Sequence, residues 1–341
     1  MPTNERPGVY TDYQVTSAVS GKSGGGVVGL AAAADTGETG KLVRLASYSE
    51  AAAAFGADSA LTRLAKLALL NGAVAVHAVR VADGGTAAYE AAFAVLQSDS
   101  EVRLLLCDSR SAEIHAAMKN SIETAPERCK YRIGVVEGEG DVSALVSAAA
   151  ALNSERMVLC TPFEGGIGDV AAAVAGAIAG SSDPALPLGG AVLHGLTGVN
   201  AVWSDNDVNA LVRGGVTAVE NAAGVVSVLR GVTSRPTTGG AADATSRELS
   251  TILIVDDVIP SVRDALRSRF ARSKNTAQTR GAVRTQVIIE LENKLAREII
   301  DSYGEVTAVA SAEDPTVCVV SFAFTVAHGL NQVHLTASIT V

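Results

Sequence analysis

Between residues 102 and 180 the chain repeats one theme, a short apolar run followed by a stretch with helical spacing. The runs are VRLLLC at 102–107, RIGVV at 132–136 and RMVLCT at 156–161; the helical stretches are 111–124, 141–152 and 168–180. Strands separated by helices of this length pair in parallel through crossovers that cover both faces of the sheet. The pattern therefore predicts a central α/β domain built from βαβ units. Upstream, AVAVHAVRV at 73–81 predicts another buried strand. It follows a helix from Tyr48, with Ser47 and Ser49 as caps, and a second at 59–70 that ends at Asn71-Gly72.

A chain of 341 residues exceeds what one hydrophobic core usually supports, so more than one packed unit is expected. It is 48% hydrophobic but only 4% aromatic and 18% charged, which places its apolar content in ordinary packed elements and excludes a disordered protein. A net charge of -9 argues against a general nucleic-acid binder, because neutralising phosphates needs a surplus of Lys and Arg. No nucleic-acid partner is expected. The start, MPTNERPGVY, has no apolar leader region, and no stretch reaches the roughly 20 strongly apolar residues that span a bilayer. A soluble protein without membrane insertion is the expectation. Cys107, Cys129, Cys160 and Cys318 are far apart with no CxxC pair, and are expected as reduced thiols.

The two ends have a different character. Near the start, Val9, Thr11, Tyr13 and Val15 fall on alternate positions, the pattern of an extended segment with one apolar face, and GKSGGGVVG at 21–29 follows as a flexible joint. Beyond Asn206 the sequence predicts a helix, then a hairpin of 218–221 with 225–229 around Ala222-Ala223-Gly224. Next come a polar loop at 233–246, a strand at 249–255, a helix at 259–272 starting at Pro260, and a long amphipathic helix at 285–303 closed by Gly304. TVCVVSFAFTV at 316–326 is apolar on both faces, the pattern of a strand covered on both sides. Finally Val333, Leu335, Ala337, Ile339 and Val341 alternate with polar residues. The expected organisation is an extended arm at 1–20, an α/β domain at 21–200 with its outer part at about 96–200, a C-terminal α+β domain at 201–330, and a second extended arm at 331–341. The fold class is α/β, or α+β overall.

Enzyme chemistry finds little support. Gly24-x-Gly26-x-x-Gly29 fits a dinucleotide fingerprint and Gly21-x-Ser23-x-Gly25 fits a nucleophile elbow, but neither follows a buried strand, as both require. Thr16 and Asp35 stand where phosphate loops ending at Lys22 and Lys41 would need Gly. His77, His115, His194, His328 and His334 show no i, i+4 pair and no neighbouring carboxylate set, so no metal site is expected. Asp256-Asp257 reads as turn and helix-start charge. No catalytic residue and no cofactor is predicted. One cluster remains: Arg263, Arg267, Arg269, Arg272, Lys274, Arg280 and Arg284 lie within a short span of an otherwise acidic chain. It is either a solvated helix face or a docking surface for an acidic partner.

Several segments, taken in order, resemble the contractile tail sheath proteins of phages and phage-tail-like particles. These are Pro7-Gly8-Val9-Tyr10 with its Gly-rich joint, Leu45-Ala46-Ser47-Tyr48-Ser49-Glu50, Phe55-Gly56, and Leu69-Leu70-Asn71-Gly72-Ala73 running into Val79-Arg80-Val81. Further on come NALVRGGV at 209–216, VSVLRGVT at 226–233, the Arg-rich helix, Ser302-Tyr303-Gly304 and the closing β segments. Both ends of the chain match well and the middle hardly at all. Leu69-Leu70 departs from the family, where an aromatic pair often stands.

The resemblance implies a structural subunit and not an enzyme, assembling into stacked hexameric rings around an inner tube protein and contacting baseplate and tail terminator proteins. The particle would assemble in a bacterial host cytoplasm as part of a virion or phage-tail-like device. It further implies that the C-terminal domain faces the tube, that Arg263, Arg267, Arg269, Arg272 and Lys274 dock it, and that the terminal arms add strands to neighbouring subunits. The strand donors would be Val9, Thr11, Tyr13, Val15, Val333, Leu335, Ala337, Ile339 and Val341, and the acceptor strand would carry Val317, Val319, Val320, Phe322 and Phe324. The energetics are compatible. Backbone pairing contributes about 0.5–1.5 kcal/mol per hydrogen bond, comparable with the entropy of fixing a residue, so burial of about 1.5–3 kcal/mol per large aliphatic side chain decides. The same alternation also suits an intramolecular hairpin of 333–341 on 316–326. Two further readings are an α/β enzyme using the 24–29 loop for a nucleotide and a different shell-forming structural protein.

Overall fold

The computed structural model describes residues 26–125, 131–196 and 203–331. It begins with β1 (Val27–Ala32), β2 (Leu42–Leu45), α1 (Tyr48–Phe55), α2 (Ala60–Asn71), β3 (Ala75–Arg80), α3 (Thr86–Gln97), β4 (Val102–Cys107) and α4 (Ala112–Glu123). Next are β5 (Ile133–Glu137), α5 (Val142–Leu152), β6 (Met157–Cys160), α6 (Asp169–Gly180), α7 (Asp205–Arg213) and β7 (Val216–Thr217). Hairpins β8 (Val219–Ala222) with β9 (Val225–Val228) and β10 (Thr237–Thr238) with β11 (Ala241–Ala242) lead to α8 (Ala244–Arg247), α9 (Leu249–Phe270) and α10 (Ala277–Ala296). The described chain closes with β12 (Ile300–Tyr303), β13 (Thr307–Ala310), β14 (Cys318–Ser321) and β15 (Phe324–Val326).

Strands β1 to β7 form one sheet in the order β2-β3-β1-β4-β5-β6-β7. Every neighbouring pair is parallel except β2 on β3, so the predicted βαβ units are present. One face packs on α1, α2 and α6 through Val28, Leu30, Val76, Leu104 and Leu106. The other packs on α3, α4, α5 and α7 through Ala31, Val79, Leu105, Cys107 and Val136. With both faces covered, each strand has to be apolar throughout, which is why the runs show no alternation.

Local signals place the ends of the elements. The Ser47 and Ser59 hydroxyls accept the amides of Glu50 and Thr62, capping α1 and α2, and Gly72 ends α2 at φ +126. The β8–β9 turn holds Ala223 and Gly224 at φ +53 and +85, the left-handed pair that a two-residue hairpin loop requires. Helix α6 is rich in Ala and Gly and buried nearly all round. Helix α2 comes so close to it that a Cβ on Gly176 would lie 2.4 Å from the Ala68 carbonyl oxygen.

Several expectations are corrected. Residues 249–255, expected as a strand, form the first turns of α9, and Pro260 lies inside that helix instead of starting it. A short apolar run has no period of its own; here packing of Ile254, Val258 and Val262 on α10 decides. Helix α10 starts earlier than expected, at the N-cap Thr276, and 300–303 leaves the helix to pair with β15. The stretch 316–326 is not one strand covered on both sides. It breaks at 322–323 between β14 and β15 and alternates half-buried with exposed. Of the joint expected at 21–29, the described part is not loose: Gly29 lies inside β1 and the Gly26 amide donates to Ala179 O at 2.7 Å, while 21–25 lie outside the described residues. The sheet's last strand, β7, and the Val219, Val226 and Val228 side chains of the β8–β9 hairpin, which join the first core, all lie beyond residue 200, where the α/β domain was expected to end. The expected arm at 1–20, and all but the first residue of the arm expected at 331–341, lie outside the described residues.

Candidate assembly surface

The C-terminal part is built on the α9–α10 pair. Ile254, Val258 and Val262 of α9 meet Val287 and Leu291 of α10, and Ile299, Ile300 and Val306 close this third core. The predicted cationic cluster divides on this framework. Arg263 is half-buried; its guanidinium lies 5.2 Å from the Tyr131 ring centroid and Nη2 donates to the Tyr131 hydroxyl at 2.7 Å. Arg269 donates to Gln286 of α10, Arg280 to Asn275 Oδ1 at 3.0 Å, and Arg284 to the Val306 carbonyl at 2.7 Å. These four join segments of the chain to one another. Arg267, Arg272 and Lys274 are exposed and make no hydrogen bond or ion pair among the described residues. The sequence could not separate the two groups, since all seven cations share one short span and only the tertiary contacts decide which of them bond to other groups of the chain.

Beside the helices, β12 pairs with β15 and β13 with β14, both antiparallel. The Gly304 amide donates to Ala323 O at 2.8 Å between the two pairs, making one continuous two-stranded ribbon. Val320, Phe322, Phe324 and Val326 face the third core. On the other side Val309 and Val319, register partners, are 54% and 44% exposed, and Val317 is 44% exposed. Among the described residues no third strand pairs with either edge, so both carry unpaired backbone donors and acceptors. Of the expected acceptor positions, Val320, Phe322 and Phe324 therefore face inward, and Val317 and Val319 face outward. The expected donors at 9–15 and 333–341 lie outside the described residues.

The glycine fingerprint has the wrong context for a dinucleotide. Gly26 and Gly29 sit before and within β1, whereas the fingerprint follows a strand. A cavity of about 270 Å3 lies beside Gly26, lined among others by Arg103, Tyr131, Asp256 and Asp257. The Gly26 amide is already engaged, and the two carboxylates would repel phosphate. Nor do Asp256 and Asp257 form an acid pair: Asp257 accepts from Lys294 at 2.5 Å and Asp256 accepts from Arg156. Burial pushes the Asp256 carboxyl up, against the pull of Arg156. Cys107 and Cys160 are free and buried; burial pushes the Cys107 thiol up to about 12 and Cys160 in the same direction. Cys318 is free and half-buried, and Cys129 lies outside the described residues. The expectation that no histidine has a carboxylate set is corrected by His77, which the fold brings to Asp99 and Glu101. No spacing rule reveals this group, because its members come from β3 and from the turn before β4.

Among the described residues no helix is long and apolar enough to cross a membrane. Residues 241–340 match the phage tail sheath C-terminal domain, the region that holds α9, α10 and the ribbon. The chain is 27% identical over 220 residues to the tail sheath protein of Bacillus phage SP01; the match covers 61% of this chain but only 38% of that longer relative. Its fold is similar to a chain in the anti-feeding prophage baseplate, with TM-score 0.77 at 15% identity, covering 99% of this chain and 100% of that one. It is also similar to the anti-feeding prophage helical sheath in its contracted state, with TM-score 0.74 at 13% identity over 98% and 99% of the two chains. The C-terminal region at 241–340 thus matches the phage tail sheath C-terminal domain, and over nearly its whole length the chain has a fold similar to that of a tail sheath protein.

Proposed function

We propose that the chain is the structural subunit of a contractile tail sheath, polymerising around an inner tube in a metastable extended state and contracting to drive the tube through a target envelope. The observation that carries this reading is the C-terminal ribbon, whose inner side is anchored on a core while neither edge pairs with a further strand among the described residues. Such a ribbon accepts strands by β-augmentation. The alternating residues 333–341 and 9–15 are the strands we assign to it, donated by neighbouring copies. Subunits then move as rigid bodies while the arms tether them, and the work comes from interfaces set during assembly, with no nucleotide or cofactor. Arg267, Arg272 and Lys274 form the tube-facing contact, and the tube surface opposite them is acidic. Hexameric rings, and contacts with baseplate and terminator proteins, belong to the same reading.

Deleting 333–341 from the full chain tests it. The expected product is a folded monomer that forms no tubes under negative stain, while the intact chain forms hollow cylinders or cogwheels. Loss of folding on deletion would support an intramolecular hairpin instead, and intact cylinders from the deleted chain would refute strand donation.

A further inference from the structure

His77 sits in the middle of β3 with its side chain 3% exposed. Its register partners are Gly29 on β1 and Arg44 on β2. Because Gly29 has no side chain, Leu96, Val102 and Leu105 close against β1; a Cβ there would lie 2.8 Å from the Leu105 and Val102 side chains. That approach brings the turn from α3 to β4 alongside His77. Buried Arg132 holds the turn in place, donating to the backbone carbonyls of Asp99 and, at 3.0 Å, Val102.

The turn supplies two carboxylates in different roles. Asp99 Oδ2 lies 2.7 Å from His77 Nδ1, and its Oδ1 accepts the Glu101 amide at 2.9 Å, so this carboxylate is fixed and only 6% exposed. In the neutral tautomer with Nδ1 donating to Asp99, Nε2 presents a lone pair. Among the described residues that nitrogen makes no hydrogen bond, and it has Glu101 Oε2 at 3.7 Å. Two ligands held tetrahedrally at about 2.0–2.1 Å from a zinc ion are about 3.4 Å apart, so the observed gap is within a few tenths of an ångström of an ion's span. A carboxylate on the far nitrogen of a ligating histidine is the usual support for such an ion.

We propose that His77 Nε2 and the Glu101 carboxylate bind a divalent transition-metal ion of the zinc type, with Asp99 orienting the imidazole and water completing the shell. Imidazole with carboxylate selects ions of this class over magnesium or calcium, which take oxygen ligands. Arg44 is the built-in competitor. Its Nη2 stands 3.7 Å from Glu101 and 4.0 Å from Asp99, and its side chain is 64% exposed and free to swing out when an ion enters.

The test is a cobalt titration of the purified full chain by visible absorption, with zinc as displacer. One saturable ion per chain is expected. Glu101→Gln weakens it at least about tenfold and Asp99→Asn about 10–100-fold. Arg44→Ala tightens it. Glu101 is 55% exposed, so its substitution leaves the fold intact even where changes at buried His77 do not. Thermal stabilisation by zinc in the parent chain and not in Glu101→Gln provides a second readout. Absence of saturable binding, or unchanged affinity in Glu101→Gln, would overturn the proposal.

Discussion

Arg156, just before β6, places Nη1 2.7 and 2.5 Å from the two carboxylate oxygens of Asp256 on α9, and so ties the central sheet to the C-terminal helices. Arg156 also lies 5.9 Å from the centroid of the Tyr131 ring, which Arg263 approaches at 5.2 Å. Both members of the pair are mostly buried, with 16% and 13% of their side chains exposed. Removing one strands the other without solvent.

Asp256→Asn or Arg156→Met should therefore cost about 3 kcal/mol in denaturant unfolding, while the double replacement by matched apolar residues costs much less than the sum. Additive single effects would show that the ion pair does not couple the two parts.

Gly176→Ala should destabilise by about 2 kcal/mol or more. A Cβ there meets a backbone carbonyl, Ala68 O at 2.4 Å, which no rotamer change relieves. Exposed Gly281, whose added Cβ would meet nothing within 4 Å, should tolerate alanine with a gain from helix propensity. Thermal melts of the two variants give the comparison directly.

Charge reversal of Arg267, Arg272 and Lys274 together should change stability by no more than about 0.5 kcal/mol, because all three are exposed. Tube co-assembly should be lost and self-assembly spared. Reversing Arg263 instead is expected to damage the fold, since it occupies the Tyr131 joint.

Val319→Lys, or the same change at its partner Val309, should leave the monomer's melting unchanged and reduce polymerisation, measured by light scattering. Both side chains are about half exposed in the isolated chain, and a desolvated lysine at a contact is costly.

Asp243 caps α8, accepting the Thr238 hydroxyl at 2.6 Å and the Ser246 amide at 2.9 Å. The Thr238 hydroxyl first, then Ser246, hold its carboxyl down at about 2. The folded value is below the unfolded value of about 3.9, so the stability it adds is present above about pH 3.9 and is lost as pH falls toward 2. Asp243→Ala should flatten the acid limb of the stability curve in that window, and cost only about 0.5 kcal/mol at neutral pH because the site is open to solvent.

The central sheet was legible because its runs at 102–107, 132–136 and 156–161 carry apolar side chains on both faces, a pattern that only doubly covered strands need. Helix ends at Ser47, Ser59 and Gly72 were legible because caps are local chemistry. The stretch at 249–255 was misread because isolated apolar residues fit a strand or a helix equally, and Gly29 was misread because a glycine that admits Leu105 looks like one that loosens a joint.

By itself the sequence determined the parallel α/β layer, the hairpin at Ala223-Gly224, the concentration of cations near 263–284 and the order of segments shared with tail sheath proteins. All of these are set by local periodicity, turn chemistry or linear order. Only the tertiary structure decided which cations find partners in the chain, which side of the ribbon is anchored, and that His77 meets Asp99 and Glu101. Those outcomes depend on which distant segments share a core, and a one-dimensional pattern carries no information about that choice.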